Sequence, residues 1–284
     1  MSVVSMNGVE LYFEQIGEGE RIAFTHGAWT DGRGWQSVVE RLADRFELVT
    51  WDRRGHSRSQ DGTAAGSYLE DAADLAGLIE HLGGEPVHLV GNSSGGKVVL
   101  DLIAIRPDLA ASAAVHEPRV AGFLPEGTSA ERIGQLMKAE EQHIGNVVEL
   151  IESGEHRRAA QYFVEEVAVG PGAWEMFPEQ LQIVLTSNAL TFLDESRDDS
   201  PIDVDALTTS PVPLLISLGT ETPELEVAAA KELARLLPAA RVETLEGAGH
   251  IPHRTHPDPY AAMLTSFIDG LAGPAGPTSE RSQV

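Results

Sequence analysis

A serine set between glycines is the residue of this chain best suited to do chemistry. Gly91-Asn92-Ser93-Ser94-Gly95 fits the pattern G-x-S-x-G, in which small residues on either side let a strained turn hold one hydroxyl clear of a sheet. Ser93 is the candidate nucleophile. The Ser94 N–H, at the start of a helix, is then available to donate to an oxyanion. Read from Gly91 to Lys97, the same stretch also spells G-x-x-x-x-G-K, the opening of a phosphate-binding loop. That second reading lacks its hydroxyl for Mg²⁺, because Val98 stands where Ser or Thr belongs. Glycine and serine are common in ordinary turns, so the surrounding elements must decide.

Residues 87–90 form an apolar run too short for a helix, and the periodic run through Val98, Val99, Leu100, Leu102 and Ile103 has helical length. Strand, sharp turn and helix follow one another. Upstream, residues 9–16 alternate as an antiparallel strand, and residues 21–25 form a buried strand ending at His26-Gly27-Ala28. Residues 35–43 have helical spacing, 46–51 read as a strand, and 68–82 as a helix stopped by Gly83-Gly84. Downstream, a strand over 111–115 ends at His116-Glu117-Pro118. This alternation predicts an α/β fold with a mostly parallel sheet covered by helices.

From about residue 128 to 194 the alternation stops, and four helical stretches, near 129–144, 146–153, 155–168 and 175–193, predict a helical insertion. The α/β pattern resumes with a strand over 213–218, a helix over 225–237, a strand over 241–245, a loop holding His250 and a helix over 259–271. The expected organisation is a core over 1–122, a helical unit over 123–205, the rest of the core over 206–272, and a disordered tail over 273–284.

The composition excludes several functions. The 284 residues carry 44 acidic against 20 basic side chains, a net charge of −24 that repels nucleic acid and anionic membrane. Without cysteine there is no disulfide, thiolate nucleophile or cysteine-bound metal. No run approaches the roughly 18 apolar residues of a membrane span, and residues 1–10 lack the basic and apolar regions of a leader, so the cytoplasm is the expected location. His250, His253 and His256 recur every third residue, but Pro252 and Pro257 break their register and no acidic ligand has suitable spacing, so no metal site is expected.

Together, His26-Gly27, Trp35, Asp52-Arg53-Arg54-Gly55-His56-Ser57-Arg58-Ser59, Gly91 to Gly96 and Gly249-His250 resemble the α/β-hydrolase superfamily from about Val9 to Leu271. The resemblance implies an eight-stranded sheet, a cap inserted after the sixth strand, and a nucleophile–acid–histidine order. A serine hydroxyl needs an imidazole to take its proton, and His250 is the expected base. The N–H groups of Ala28 and Ser94 are the expected oxyanion hole. Many relatives place an Asp where Thr222 stands here, which leaves Glu221 and Glu224 as nearby substitutes. Some branches, certain lactone hydrolases among them, carry the acid after the sixth strand, and Glu117 ends that strand. Glu117 is preferred, then Glu221, then Glu224.

Trp29, Asn92, Phe123, Trp174 and Phe177 are the expected pocket residues. The reading is a serine hydrolase cleaving a carboxylic ester or lactone of a hydrophobic small molecule, without cofactor. A carbon–carbon hydrolase, a perhydrolase and a non-catalytic binding homologue are the alternatives, and monomer and homodimer are both left open.

Overall fold

The computed structural model describes residues 2–59, 66–120 and 130–271. Eight strands form one sheet: β1 (Ser2–Met6), β2 (Val9–Ile16), β3 (Arg21–Thr25), β4 (Glu47–Trp51), β5 (Val87–Asn92), β6 (Ala110–His116), β7 (Leu214–Gly219) and β8 (Arg241–Leu245). Their order across the sheet is β1-β2-β4-β3-β5-β6-β7-β8. β1 pairs antiparallel with β2, and β2 with β4; the pairings from β4 through β3 and on to β8 are parallel.

The period of two along each strand splits the core between the sheet's two faces. Ala23 of β3 points to one face with Val49 and Leu89, while Ile22 and Phe24 point to the other with Leu48 and Val90. Helix α1 (Gln36–Leu42) covers the second face. Helices α2 (Tyr68–His81) and α3 (Ser94–Ile105) cover the first. The strand over residues 2–6 was not anticipated. Its half-exposed edge position leaves little apolar pattern, although Asn7-Gly8, both at positive φ, is the signature of a two-residue hairpin.

Between β6 and β7 lie α4 (Ala130–Glu152), α5 (His156–Phe163), α6 (Ala173–Met176), α7 (Glu179–Ser187), α8 (Thr191–Arg197) and α9 (Val204–Thr209), with a π-helical turn over Val164–Ala168. The helical insertion is there, but its divisions differ from the expected ones. Gly145 does not break α4: a Cβ there would meet nothing, so the exposed glycine costs only about 1 kcal/mol against a long amphipathic face. The single helix expected over 175–193 is interrupted twice. Pro178 holds Phe177 extended, with ψ 136°, and Asn188 turns its amide into the core. Trp174, Phe192, Val147 and Leu185 pack with Trp29 into a third apolar cluster.

Helices α10 (Glu224–Leu236), α11 (Pro252–Thr255) and α12 (Pro257–Leu271) complete the fold, with α10 on the face of α2 and α3 and α12 beside α1. The expected boundary at 122/123 and the tail over 273–284 lie outside the described residues. Among the described residues no helix is long and apolar enough to cross a membrane.

Candidate active site

Ser93 sits between β5 and α3 at φ 55°, ψ −122°, a region a non-glycine residue enters only when its surroundings hold it there. Its carbonyl accepts from the N–H groups of Gly96 and Arg119 at 2.9 and 3.0 Å, and its own N–H donates to the His116 carbonyl at 3.0 Å. Both glycines of the pentad are required by space. A Cβ on Gly91 would stand 2.3 Å from the Gly95 carbonyl oxygen, and one on Gly95 would stand 2.2 Å from that of Thr25. Two more site residues, Trp29 (φ 67°) and Glu117 (φ 42°), share the left-handed backbone.

Glu117 follows β6 and is 3% exposed, so its carboxylate depends on protein donors. Oε2 accepts from His250 Nδ1 at 2.8 Å. Oε1 accepts from the Gly219 N–H at 3.0 Å and from the Thr222 hydroxyl, with His116 Nε2 at 3.2 Å. Burial pushes the Glu117 carboxyl up, but the hydrogen bonds and charges of His116 and His250 outweigh it and hold the group well below the usual carboxylate range. Burial likewise pulls His250 down, while its bond to Glu117 and the charges of Glu117 and Glu226 raise it above its ordinary value of 6.5. With Nδ1 donating to Glu117, Nε2 is the nitrogen left to act as a base.

Glu221 and Glu224 do not join this arrangement. Both side chains are exposed, and Glu224 pairs with Arg132 at 3.2 Å. Thr222, at the position where many relatives place an Asp, serves instead as a donor to Glu117.

Ser93 and His250 line one cavity of about 80 Å³, together with Ala28, Trp29, Asn92, Phe163, Phe177 and Leu181 among others. Ala28 is close to the nucleophile, since a Cβ on the preceding Gly27 would lie 3.3 Å from the Ser93 Cβ. His26 holds this loop: its Nε2 accepts from the Arg53 N–H at 2.9 Å and its Nδ1 donates to the Gly27 carbonyl at 2.8 Å. Burial, with Arg53 beside it, pushes that imidazole down to about 3, so it stays neutral.

Of the expected pocket residues, Trp29, Asn92 and Phe177 line the cavity. Asn92 has its amide engaged, donating to the His250 carbonyl at 2.9 Å. Trp174 is not part of the lining. It is 1% exposed inside the cluster of inserted helices, under the Arg157 guanidinium, and an indole packed there does not also face the cavity. Phe123 lies outside the described residues.

The histidines spaced by three diverge: His253 stacks on Trp35 at 4.4 Å and His256 bonds to the Thr255 hydroxyl. The Lys97 ammonium is buried against Asp101 one turn further along α3, where it cannot serve a phosphate loop.

Several contacts were not foreseen. Ser94 Oγ donates to Glu195 Oε2 at 2.8 Å, and Glu195, from α8, also pairs with the buried Arg53, which holds Asp71 at 3.0 Å. Asn188 bridges back to the core, donating to the carbonyls of Trp29 and Thr30 at 3.1 and 3.0 Å and accepting from the Ser57 N–H at 2.8 Å. Glu226, within electrostatic reach of His250, has a buried Oε2 with no hydrogen-bond partner among the described residues. The excess of acidic side chains gave no means of singling out Glu195 or Glu226.

A mostly parallel eight-stranded sheet with a serine on a strained strand-to-helix turn defines an α/β hydrolase framework. The profile of the alpha/beta hydrolase family matches residues 22–263, and the chain belongs to that family. Two relatives are an sn-1-specific diacylglycerol lipase of Mus musculus, 27% identical over 87% of this chain and 80% of its own, and the (E)-2-((N-methylformamido)methylene)succinate hydrolase of Acinetobacter baylyi, 25% identical over 94% of this chain and 96% of its own. Among solved structures, an alpha/beta hydrolase from Sphaerobacter thermophilus matches with a TM-score of 0.75 and 27% identity, covering 94% of this chain and all (100%) of that one.

Proposed function

We propose that this hydrolase cleaves a carboxylic ester or lactone of a small, largely apolar molecule through an acyl-enzyme on Ser93. The Glu117–His250 hydrogen bond of 2.8 Å, with His250 lining the same cavity as Ser93, is the observation that carries this reading. His250 Nε2 takes the Ser93 proton as Oγ attacks the carbonyl carbon, and Glu117 holds the ring and offsets the imidazolium charge. The tetrahedral oxyanion is met by the N–H groups of Ser94 and Ala28. Ser94 suits this role because the first N–H groups of a helix have no intrahelical partner. His250 then returns the proton to the departing alkoxide. Water, deprotonated by the same imidazole, attacks the acyl-enzyme and releases the acid and free Ser93.

The inserted helices, α4 to α9, act as the cap. Their Phe163, Phe177 and Leu181 supply the apolar wall of a cavity that a short acyl or alcohol group fills. The two relatives' names, a lipase and a succinate-derivative hydrolase, support carboxylic-acid derivatives as the substrate class without narrowing it. The test is hydrolysis of short-chain p-nitrophenyl esters. Wild type turns them over, and Ser93→Ala loses about 10,000-fold in kcat while keeping its circular dichroism spectrum. Equal rates for the two proteins would overturn the assignment of Ser93.

A further inference from the structure

Arg254 lies on α11, four positions after His250, and lines the same cavity as Ser93. Its Nη2 donates to the Thr30 hydroxyl at 3.1 Å. Among the described residues no carboxylate comes within ion-pair distance of its guanidinium. The nearest charge that steadies it is Asp31, whose two oxygens are taken by Arg33 and the Ser57 hydroxyl. The other residues lining the cavity, Trp29, Phe163, Phe177 and Ile251 among them, include no Asp or Glu. Burial accordingly pulls this guanidinium below its ordinary value.

A shortage of acids does not explain the missing partner, since the chain carries 44 acidic against 20 basic side chains. Three other buried or half-buried arginines are matched: Arg53 with Asp71 and Glu195, Arg54 with Asp74 and Glu70, Arg58 with Asp52 and Glu14. Leaving a half-buried guanidinium with one neutral partner is unfavourable unless an anion arrives with the ligand. Its planar fork, with Nη2 tied to Thr30, keeps further N–H donors of the geometry a carboxylate accepts.

We propose that the substrate carries a carboxylate besides its scissile ester or lactone, and that Arg254 binds that carboxylate while Ser93 attacks the carbonyl. The substrate class is therefore half-esters or lactones of short dicarboxylic acids. This rests on Ser93 being the nucleophile, and the experiment separates the two claims.

Monoethyl and diethyl esters of succinate, glutarate and adipate are compared by pH-stat with wild type, Arg254→Gln, Arg254→Lys and Ser93→Ala. Wild type prefers at least one half-ester over its diester by about tenfold or more in kcat/KM. Arg254→Gln brings that ratio to about one, chiefly through KM, and Arg254→Lys restores part of it. A wild type that favours every diester, or an Arg254→Gln variant that keeps the half-ester preference, overturns the proposal. Activity retained by Ser93→Ala overturns only the nucleophile assignment. Binding gives an arm independent of turnover. Calorimetric titration of Ser93→Ala with succinate, glutarate and adipate detects at least one of them, and the Ser93→Ala/Arg254→Gln double variant loses it. No binding to Ser93→Ala, or equal binding to both, rules the carboxylate site out.

Discussion

At the scale of single residues, the acid of the proposed triad is decided by donors. The Glu117 carboxylate receives a backbone N–H, a hydroxyl and imidazole nitrogens in a buried setting, whereas Glu221 is exposed. Glu117→Gln is expected to lower kcat about 1,000-fold or more, because the amide no longer offsets an imidazolium, and Glu221→Gln to stay within about twofold. Ester hydrolysis by both variants checks this; a damaging Glu221→Gln would move the acid. The pH dependence follows from His250, which must be neutral to act. Its folded value is raised by Glu117 and Glu226, so activity falls as pH drops through a point above 6.5. Glu117→Gln removes the main cause of that rise, and the residual activity should keep to lower pH. A kcat/KM profile whose acid limb stays in place in the variant would show that His250 does not set it.

Among the elements, α8 does more than pack within the insertion. Its Glu195 reaches beneath the candidate oxyanion turn to Ser94 and neutralises Arg53, a side chain with no exposed area. Glu195→Gln leaves Arg53 with Asp71 alone, and a buried pair broken on one side costs about 3 kcal/mol, which for a domain of this size lowers Tm by about 6 °C or more. Thermal melts read this directly; an unchanged Tm would mean that water already compensates Arg53. Asn188 acts in the same direction, tying the end of α7 to the Trp29–Thr30 backbone. The inserted helices and the loop carrying Ala28 are thus one packed unit.

For the whole molecule, charge governs the response to salt. Exposed pairs such as Arg45–Asp269 and Arg132–Glu224 contribute little and weaken in salt. Against them stands a net charge of −24, whose self-repulsion salt also screens. The uncompensated excess outweighs the pairs, so Tm is expected to rise by about 2–4 °C between about 10 mM and about 200 mM NaCl. A falling Tm would mean that the surface pairs dominate.

The strand–turn–helix around Ser93, the mostly parallel character of the sheet and Glu117 as a strand-end carboxylate were legible in the sequence because each depends on neighbours a few positions away. Periodicity marks a strand or helix, and glycine marks a backbone that must turn or be approached closely. The hairpin at Asn7-Gly8 belonged to the same local code and was overlooked. The inserted helices were legible as helices but not in their divisions, since Gly145 is a breaker only where packing does not override it and Asn188 ends α7 by bonds to residues more than a hundred positions away. Trp174 could not be separated from Phe177 by spacing, because an aromatic side chain buries equally well in a helical core or a cavity wall. What only the tertiary structure decided is partnership: that Glu117 meets His250 across 133 positions, that Glu195 meets Ser94 across 101, and that Arg254, in so acidic a chain, lines the cavity with no carboxylate paired to it among the described residues. Charge and desolvation act through space, and their strength at a site depends on distances and burial that no local pattern of residues contains.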